Sequence, residues 1–293
     1  MNDWKKNLSV GTASFGGNYG LFSAKNKITD CELFEIFATA KQHGIRSIDT
    51  SPLYGDAEVR LGTLGVQNLL ISSKVWASPN LETIDKTDFG FLVEKSLKRL
   101  KVKKLDAVLL HNTNEIKPDL LPRLISELSL LKQKQLCEKI GISCYEANQA
   151  LEIIKNFDID VVQVPGNILD RRLLTSGLLA VCKKKDIEAH IRSIFLGGLL
   201  LRSTPTIPKE FQKWKKLLKL WESWLELEGI THLQANMSFA QYLLKEGASK
   251  IIVGVSSAEE LLKIVSTSSV QLSGIPENLA TDDRQLINPY NWQ

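Results

Sequence analysis

The sequence predicts a (β/α)₈ barrel, with residues 1–293 forming one domain. Eight short apolar segments with strand character alternate with segments whose apolar residues recur at helical spacing, which is the element order of this fold. Several of the predicted strands end in a polar side chain, as expected where an active site lies at the carboxyl ends of barrel strands. With 293 residues, 43% of them hydrophobic, the chain is long enough to bury one large core.

The first half of the chain supplies four strand and helix units. The predicted strands are residues 8–12, 45–48, 69–73 and 105–110, and the predicted helices begin at Thr29-Asp30, Glu58, Phe91 and Leu120. Thr29 is a favoured N-cap residue, and the helix that follows it ends at His43-Gly44. The glycine-containing loop after the first strand, residues 14–20, either lets a ligand approach the backbone closely or forms a plain turn.

The second half of the chain supplies the other four units. The predicted strands are residues 139–143, 160–164, 189–193 and 250–254, and the predicted helices are 147–154, 174–184, 233–244 and 258–265. A Trp-rich insertion at about 199–229 separates the seventh strand from its helix. The spacing of Trp214, Trp221 and Trp224 places their rings on one helical face, which favours packing against the barrel over ligand contact. A long loop at the active end can also serve as a lid or a substrate contact.

An open, doubly wound parallel sheet is the alternative arrangement of the same elements. That fold needs a Gly-rich dinucleotide fingerprint directly after its first strand. Residues 11–16, Gly-Thr-Ala-Ser-Phe-Gly, match this fingerprint poorly. The barrel is therefore the better prediction.

Charge and cysteine content limit the possible partners. The net charge of +4 comes from 37 basic and 33 acidic residues, which are spread too evenly along the chain to predict a nucleic-acid-binding surface. No run of about 18 apolar residues predicts a membrane span, and the amino terminus lacks the apolar stretch of a signal peptide. The four cysteines, Cys31, Cys137, Cys144 and Cys182, show neither paired nor metal-like spacing, so we expect reduced thiols, no metal and a cytoplasmic protein. The oligomeric state is open.

Four polar residues at the carboxyl ends of three successive strands form a candidate catalytic group. Asp49 ends the second strand, Tyr54 follows it after a Ser-Pro turn, Lys74 ends the third strand and His111 follows the fourth. Taken singly, an aspartate at a strand end is typical of a helix cap, and a tyrosine after a proline is typical of a packing ring. A lysine at a strand end is typical of a solvated strand edge. Taken together they indicate proton transfer, because a phenol with a pKa near 10 needs a cation to stabilise its phenolate, and a lysine held by an aspartate supplies one.

In order and local context, this group resembles the Asp, Tyr, Lys and His tetrad of the aldo-keto reductases, and the resemblance covers nearly the whole chain. It implies hydride transfer between a nicotinamide cofactor and a carbonyl or alcohol, with Tyr54 as general acid and base. Lys74, paired with Asp49, is then expected to lower the pKa of Tyr54. His111 is expected to orient the carbonyl oxygen.

The resemblance also implies cofactor contacts on the remaining strands. Ser143 ends the motif whose serine and following side chain hold the nicotinamide carboxamide, and Cys144 replaces the usual asparagine there. Gln163 matches the glutamine of the sixth strand. Arg192 stands where many members have an aromatic ring stacked on the nicotinamide, and its planar guanidinium can stack similarly. The other implied cofactor contacts are Gly11, Thr12, Ser193, Phe195, Gly254, Ser256, Ser257 and Glu260.

The segment after the eighth strand bears on the choice between NADP(H) and NAD(H). Members that prefer NADP(H) usually have a lysine and an arginine here, at the positions of Gly254 and Glu260. The Glu260 carboxylate favours NAD(H), because it repels a 2′-phosphate and can accept a hydrogen bond from a free 2′-hydroxyl. NADP(H) is favoured by the hydroxyls of Ser256 and Ser257, by the nearby Lys263 and by the general cofactor preference of the family. We therefore expect NADP(H), with NAD(H) as the alternative and a discrimination of only about tenfold.

The expected substrate is a small carbonyl or alcohol, with Phe15, Tyr19 and Trp76 as candidate contacts. Residues 11–20 and 192–198 are similar to members from sugar and polysaccharide pathways, which favours a sugar-like carbonyl. One alternative is a cofactor-binding ancillary subunit with little turnover, since relatives of this fold serve ion channels in that way. The other is a barrel isomerase or lyase acting on a sugar, with Lys74 as nucleophile. Borohydride trapping distinguishes this last case, because it captures only a Schiff-base lysine.

Overall fold

Eight parallel strands form a closed barrel in the computed structural model, which describes residues 4–17, 27–77, 88–203, 206–272 and 274–292. Each strand pairs with the next one along the chain, and the last pairs with the first. The strands are β1 (Leu8–Gly11), β2 (Ser47–Asp49), β3 (Leu70–Val75), β4 (Leu105–Leu110), β5 (Cys137–Ser143), β6 (Val161–Pro165), β7 (Glu188–Arg192) and β8 (Lys250–Gly254). The predicted (β/α)₈ barrel is thus confirmed.

Helices connect and surround the strands. Those in the described ranges are α1 (Asp30–Gln42), α2 (Ala57–Leu64), α3 (Phe89–Leu100), α4 (Leu121–Gln133), α5 (Ala147–Asn156), α6 (Arg172–Thr175), α7 (Leu178–Lys184), α8 (Lys215–Glu228), α9 (His232–Glu246), α10 (Ala258–Ser266) and α11 (Arg284–Ile287). The single helix predicted over 174–184 is divided into α6 and α7. The division falls at Gly177, whose φ of 73° lies in the left-handed region that interrupts a helix.

Local capping follows the sequence closely. The Thr29 side chain accepts a hydrogen bond from the amide of Glu32, which fixes the first turn of α1 as expected. Thr231 and Gln234 form a reciprocal capping box at the start of α9. These caps satisfy backbone amides that have no partner within the helix.

A charged cluster lies at the amino ends of the strands, opposite the candidate catalytic residues. Lys139 Nζ lies 2.8 Å from Glu188 Oε1 and 3.3 Å from Asp106 Oδ1, and Lys250 Nζ lies 3.1 Å from Asp106 Oδ2. His190 Nε2 lies 2.9 Å from Glu188 Oε2. Hydrogen bonds from His190 and Lys139 lower the pKa of Glu188 to about 2 against the opposing effect of burial. The cluster pairs its charges internally, at the end of the barrel away from the catalytic group.

The Trp-rich insertion contributes to the core. Trp221 and Trp224 lie on α8, and both rings are buried and stacked with their centres 5.5 Å apart. Trp214, just before α8, donates a hydrogen bond from Nε1 to Asp283 Oδ2 at 2.7 Å. Packing of α8 is therefore the structural role of these rings. Among the helices described, none is both long and apolar enough to cross a membrane.

Candidate active site

A buried ion pair joins the ends of β2 and β3. Lys74 Nζ donates to Asp49 Oδ1 at 2.6 Å and to the carbonyl oxygen of Thr50 at 2.9 Å. Lys74 is only 2% exposed and Asp49 only 5%. The adjacent parallel strands β2 and β3, with Asp49 opposite Ser72, hold the two side chains at one end of the barrel. This contact agrees with the geometry expected from the sequence.

Two further residues predicted from the sequence extend the pair into a hydrogen-bonded chain. Gln163 Nε2 donates to the second carboxylate oxygen of Asp49, Oδ2, at 2.7 Å. Ser143 Oγ in turn donates to Gln163 Oε1 at 3.2 Å. All of these side chains are buried, so the ends of β2, β3, β5 and β6 are joined by polar contacts within the barrel mouth.

Tyr54 and His111 complete the group of four at this mouth. The Tyr54 ring centre lies 5.4 Å from Lys74 Nζ and 6.5 Å from the centre of the His111 ring, to which it is nearly perpendicular. The turn that carries Tyr54 packs tightly on the loop after β1. A Cβ atom on Gly16 would lie 1.6 Å from the Tyr54 carbonyl oxygen, so only glycine fits there. The tight contact fixes the position of the phenol.

The pKa of Tyr54 is raised in the folded protein. Burial raises it well above its ordinary value, the nearby Asp49 carboxylate raises it further, and the Arg192 guanidinium offsets part of this rise. The net change is a rise, and the lowering expected from Lys74, which Asp49 pairs at 2.6 Å, stays a prediction. Tyr54 is therefore a neutral phenol that carries the proton a general acid needs.

His111 is also neutral at physiological pH. Burial lowers its pKa to about 3, and the positive charges of Lys74 and Arg192 lower it in the same direction. Its Nδ1 atom is buried and has no hydrogen-bond partner in the part of the chain that the structure describes. A neutral imidazole has one N–H to donate, which suits a contact with a carbonyl oxygen.

The low pKa of His111 predicts a loss of stability in acid. The unfolded chain takes up a proton near the ordinary pKa of about 6.5, whereas folded His111 does so only near pH 3. The free energy of unfolding should therefore fall as the pH drops from about 6.5 towards 3, by up to about 2 kcal/mol between about pH 7 and pH 5. Urea unfolding at several pH values tests this. His111→Gln should lose less stability in acid than the wild type, and equal losses would contradict the prediction.

A cation and an aromatic ring form a second feature of the mouth. The Arg192 guanidinium lies over the Tyr145 ring, with Cζ 4.1 Å from the ring centre. Its Nη2 donates to the Cys144 carbonyl oxygen at 3.2 Å, and its Nη1 donates to Ser193 Oγ at 3.4 Å. Sequence reasoning missed Tyr145, although its signal, an aromatic residue just past the end of β5, was present.

The Cys144 side chain forms a hydrogen bond within its own loop. Its thiol is fully buried and donates to the Glu146 carbonyl oxygen at 3.7 Å. Burial raises the pKa of the thiol to about 12, so it stays protonated. Cys144 thus contributes its backbone carbonyl to Arg192, while its side chain is already paired.

The other predicted contacts differ in their accessibility. Thr12 is fully buried, and its Oγ1 donates to the Asp49 carbonyl oxygen at 3.0 Å. The Phe15 ring is also fully buried and packs edge-on against Phe37, with ring centres 6.1 Å apart, so it is not brought to an exposed surface. Trp76 is 39% exposed, while Phe195 is buried in the core. Tyr19 lies outside the described residues.

The start of α10 is occupied by two carboxylates. Ser256 N donates to Glu260 Oε2 at 2.7 Å, and Ala258 N donates to Glu32 Oε1 at 2.6 Å. Ser257 Oγ accepts from the amide of Glu260 at 3.1 Å as the N-cap. Gly254, just before, is open, with no heavy atom within 4 Å of a Cβ placed on it. The contact of Glu32 with this segment could not be predicted from the sequence, because Glu32 lies on α1, far away along the chain.

A polar cavity of about 340 Å³ adjoins the Arg192 and Tyr145 contact. Its lining is formed by Asn112, Asn114, Glu115, Tyr145, Glu146, Arg284, Asn288 and Tyr290. Asn112 directly follows His111, and its Oδ1 atom is buried without a hydrogen-bond partner in the described ranges. Asn114 Oδ1 accepts from the Tyr145 amide at 2.7 Å, which ties the loops after β4 and β5 together. The cavity therefore lies beside the loops that follow β4 and β5, next in sequence to His111.

Comparison with known proteins identifies the family. The sequence model described as "Aldo/keto reductase family" matches residues 7–274. The chain belongs to the aldo-keto reductase family. The resemblance inferred from the four polar residues is thereby confirmed, and the protein is an NAD(P)H-dependent aldo-keto reductase.

Several relatives cover most of this aldo-keto reductase. The D-arabinose 1-dehydrogenase of Saccharomyces cerevisiae is 30% identical over 283 residues, which cover 87% of this chain and 82% of that protein. The NADH-specific methylglyoxal reductase of Escherichia coli is 22% identical, with coverage of 91% and 90%. The holo structure of an aldo-keto reductase from Bacillus halodurans superposes with a TM-score of 0.71 at 20% identity, covering 93% of this chain and 94% of that one, which supports the fold.

Proposed function

We propose that this aldo-keto reductase reduces the carbonyl group of a small, sugar-like substrate and catalyses the reverse oxidation, with Tyr54 as the general acid and base. The observation that carries the proposal is the meeting of a neutral phenol, a buried ammonium and a neutral imidazole at one barrel mouth. A bound nicotinamide cofactor supplies the hydride in reduction and accepts it in oxidation. The side chains handle the proton.

Each member of the group has a distinct part in the proton step. As negative charge develops on the substrate oxygen, Tyr54 donates its proton to that oxygen, and the Lys74 ammonium stabilises the phenolate left behind. The bonds from Lys74 to Asp49 and to the Thr50 carbonyl oxygen hold the ammonium in place. His111 donates its N–H to the same substrate oxygen. Because His111 is neutral, no imidazolium, which would be a stronger acid than the phenol, competes with Tyr54 as the proton donor.

The residues around this group suit a nicotinamide dinucleotide. The Gln163 amide has two N–H groups and uses one on Asp49, so it can donate the other to a carboxamide, beside the hydroxyl of Ser143. The open position at Gly254 leaves room for a ligand next to the start of α10. We propose that Ser143 and Gln163 hold the nicotinamide, and that Gly254, Ser256 and Ser257 lie against the adenosine half.

We propose NAD(H) as the preferred cofactor, although the sequence favoured NADP(H) by a small margin. The amides of Ser256 and Ala258, which a phosphate would need, already donate to Glu260 and Glu32. Two carboxylates beside a 2′-phosphate are unfavourable, whereas a free 2′-hydroxyl can donate to either one. The NADH specificity in the name of the Escherichia coli relative is in line with this choice.

Replacement of Glu260 tests the cofactor preference. We expect the wild type to bind NADH about tenfold more tightly than NADPH, and Glu260→Arg to shift that ratio towards NADPH by about tenfold or more. Fluorescence quenching at one salt concentration gives all the dissociation constants. Glu259→Arg is the matched control, because it makes the same charge change on an exposed neighbour that pairs with Lys263. A wild-type preference for NADPH, or equal shifts in both variants, would contradict the proposal.

The polar cavity next to Asn112 supports a substrate with several hydroxyl groups. Amide, carboxylate and guanidinium groups line it, together with the exposed ring of Tyr290, and such groups suit hydroxyl recognition. The unpaired Oδ1 of Asn112 can accept a hydrogen bond from one substrate hydroxyl. The sugar in the name of the yeast relative is consistent with this chemistry.

A screen of carbonyl compounds tests the proposed reaction. Aldoses, simple aldehydes and dicarbonyls are offered with NADH or NADPH, and the loss of cofactor absorbance is followed. We expect turnover, with aldoses or other hydroxylated carbonyls among the better substrates. Tight cofactor binding without turnover on any carbonyl would favour an ancillary subunit instead. A Schiff-base enzyme is disfavoured because Lys74 is buried and donates to two acceptors, and borohydride trapping is expected to label nothing.

A further inference from the structure

Arg192 differs from the other cations around the barrel mouth in its partners. Lys74 pairs with Asp49, and Arg172 pairs with Asp170 and Glu146. The hydrogen bonds of Arg192 go to a carbonyl oxygen and a hydroxyl, and no carboxylate of the described residues forms an ion pair with it. The mouth therefore contains a positive charge that no neighbouring carboxylate neutralises.

This charge lies close to the reacting groups. Arg192 ends β7 opposite Pro165, two residues beyond Gln163, whose side chain donates to Asp49, so the guanidinium belongs to the same end of the barrel. In line with this position, it lowers the pKa of both Tyr54 and His111. Tyr145 covers one face of the guanidinium, and the Cys144 carbonyl oxygen and Ser193 hydroxyl hold its edge. Arg192 is thus fixed in place as part of the wall of the catalytic mouth.

We propose that Arg192, held by Tyr145, makes the nicotinamide pocket bind the reduced cofactor much more tightly than the oxidised cofactor. The proposal rests on the proposed function, which brings the nicotinamide ring to this end of the barrel. Arg192 acts directly on the cofactor, and Tyr145 is a positioning residue that acts through Arg192. The consequence is rapid release of the oxidised cofactor after carbonyl reduction and weak inhibition by it.

The physical reason is a difference in charge between the two forms of the cofactor. Reduction of the carbonyl moves a hydride, with its two electrons, to the carbonyl carbon, and Tyr54 supplies the proton to the oxygen. The nicotinamide ring is neutral before this step and positively charged after it. A fixed guanidinium repels the charged ring and not the neutral one. An aromatic side chain in place of Arg192 would do the opposite, because its π face attracts a cation.

The test compares the binding of NADH and NAD⁺ without any substrate. Quenching of tryptophan fluorescence at one salt concentration gives both dissociation constants, and their ratio is the readout. We expect wild-type NAD⁺ to bind at least about tenfold more weakly than NADH. Arg192→Gln should reduce that ratio about tenfold, mainly by tightening NAD⁺, and Arg192→Phe should reduce it further. Arg192→Lys keeps the charge and should keep most of the ratio.

Variants of the supporting residue and of a distant arginine complete the design. Tyr145→Phe retains the ring and should retain the ratio, whereas Tyr145→Ala should lower it. Arg123→Gln on α4 removes the same charge from an exposed position and should change nothing. Circular dichroism checks that each variant is folded. The ratio of the NAD⁺ and NADH dissociation constants of the wild type is itself a test, and it needs no variant.

The outcomes separate this inference from the proposed function. A wild-type ratio below about threefold, or an unchanged ratio in Arg192→Gln while both cofactors still bind, would overturn the role of Arg192 alone. Failure of the wild type to bind any nicotinamide cofactor would overturn the proposed function, and this inference with it. A lowered ratio in Arg192→Gln, together with an unchanged ratio in Arg123→Gln, would establish the role.

Discussion

Tyr54→Phe is expected to lower kcat for carbonyl reduction by about 10²- to 10⁴-fold and to leave the dissociation constant of the reduced cofactor within about twofold of the wild type. In the proposed mechanism the phenol acts on the substrate oxygen, so its removal should affect the chemical step and not the binding of the dinucleotide. Steady-state kinetics and fluorescence titration give the two quantities. The ring remains, which preserves its contacts with the His111 ring and the Lys74 ammonium.

The control for this variant removes a hydroxyl elsewhere. Tyr242→Phe makes the same chemical change at a side chain on α9 that is 41% exposed, and it should leave kcat unchanged. A loss below about tenfold in Tyr54→Phe, when chemistry limits the rate, would mean that another group donates the proton. His111 is the nearest other candidate. Because its pKa is about 3, it is neutral at physiological pH, and a neutral imidazole is a poor proton donor.

The parts of the site that lie on strand ends were predictable from the sequence. Asp49 and Lys74 each end or nearly end an apolar run, and parallel strands bring such ends to one edge of the barrel. The same logic applies to Ser143 and Gln163 on β5 and β6, which pair directly opposite each other in register. Local periodicity fixes which residues end a strand, and the barrel topology then brings these ends together.

Contacts between distant segments were not predictable in this way. Glu32 lies on α1 and reaches the amide of Ala258, 226 residues later, through the packing of α1 on α10. The Tyr145 and Arg192 contact joins the ends of β5 and β7, which are not neighbours in the barrel. The raised pKa of Tyr54 depends on how deeply the ring is buried, and no residue pattern reports burial of that kind. These features follow from tertiary packing alone.

Lys74→Met is expected to abolish most activity and also to destabilise the fold, and the two effects can be separated. The variant leaves the buried Asp49 carboxylate without its cation, while the Gln163 amide still donates to it. Breaking a buried ion pair from one side typically costs about 3 to 5 kcal/mol. We expect the free energy of unfolding, measured in urea, to fall by that amount, and kcat to fall about 100-fold or more.

The double variant Asp49→Asn with Lys74→Met separates structure from catalysis. It removes both charges, so it should recover most of the lost stability, because replacement of a whole buried pair is often close to neutral. It should not recover activity, since no ammonium remains to stabilise the Tyr54 phenolate. Lys132→Met is the matched control, because it breaks an ion pair with Asp160 in which both side chains are about one-third exposed or more, and it should cost at most about 1 kcal/mol. Recovery of turnover in the double variant would show that the pair only supports the fold, whereas recovery of stability without turnover would assign Lys74 to the chemistry.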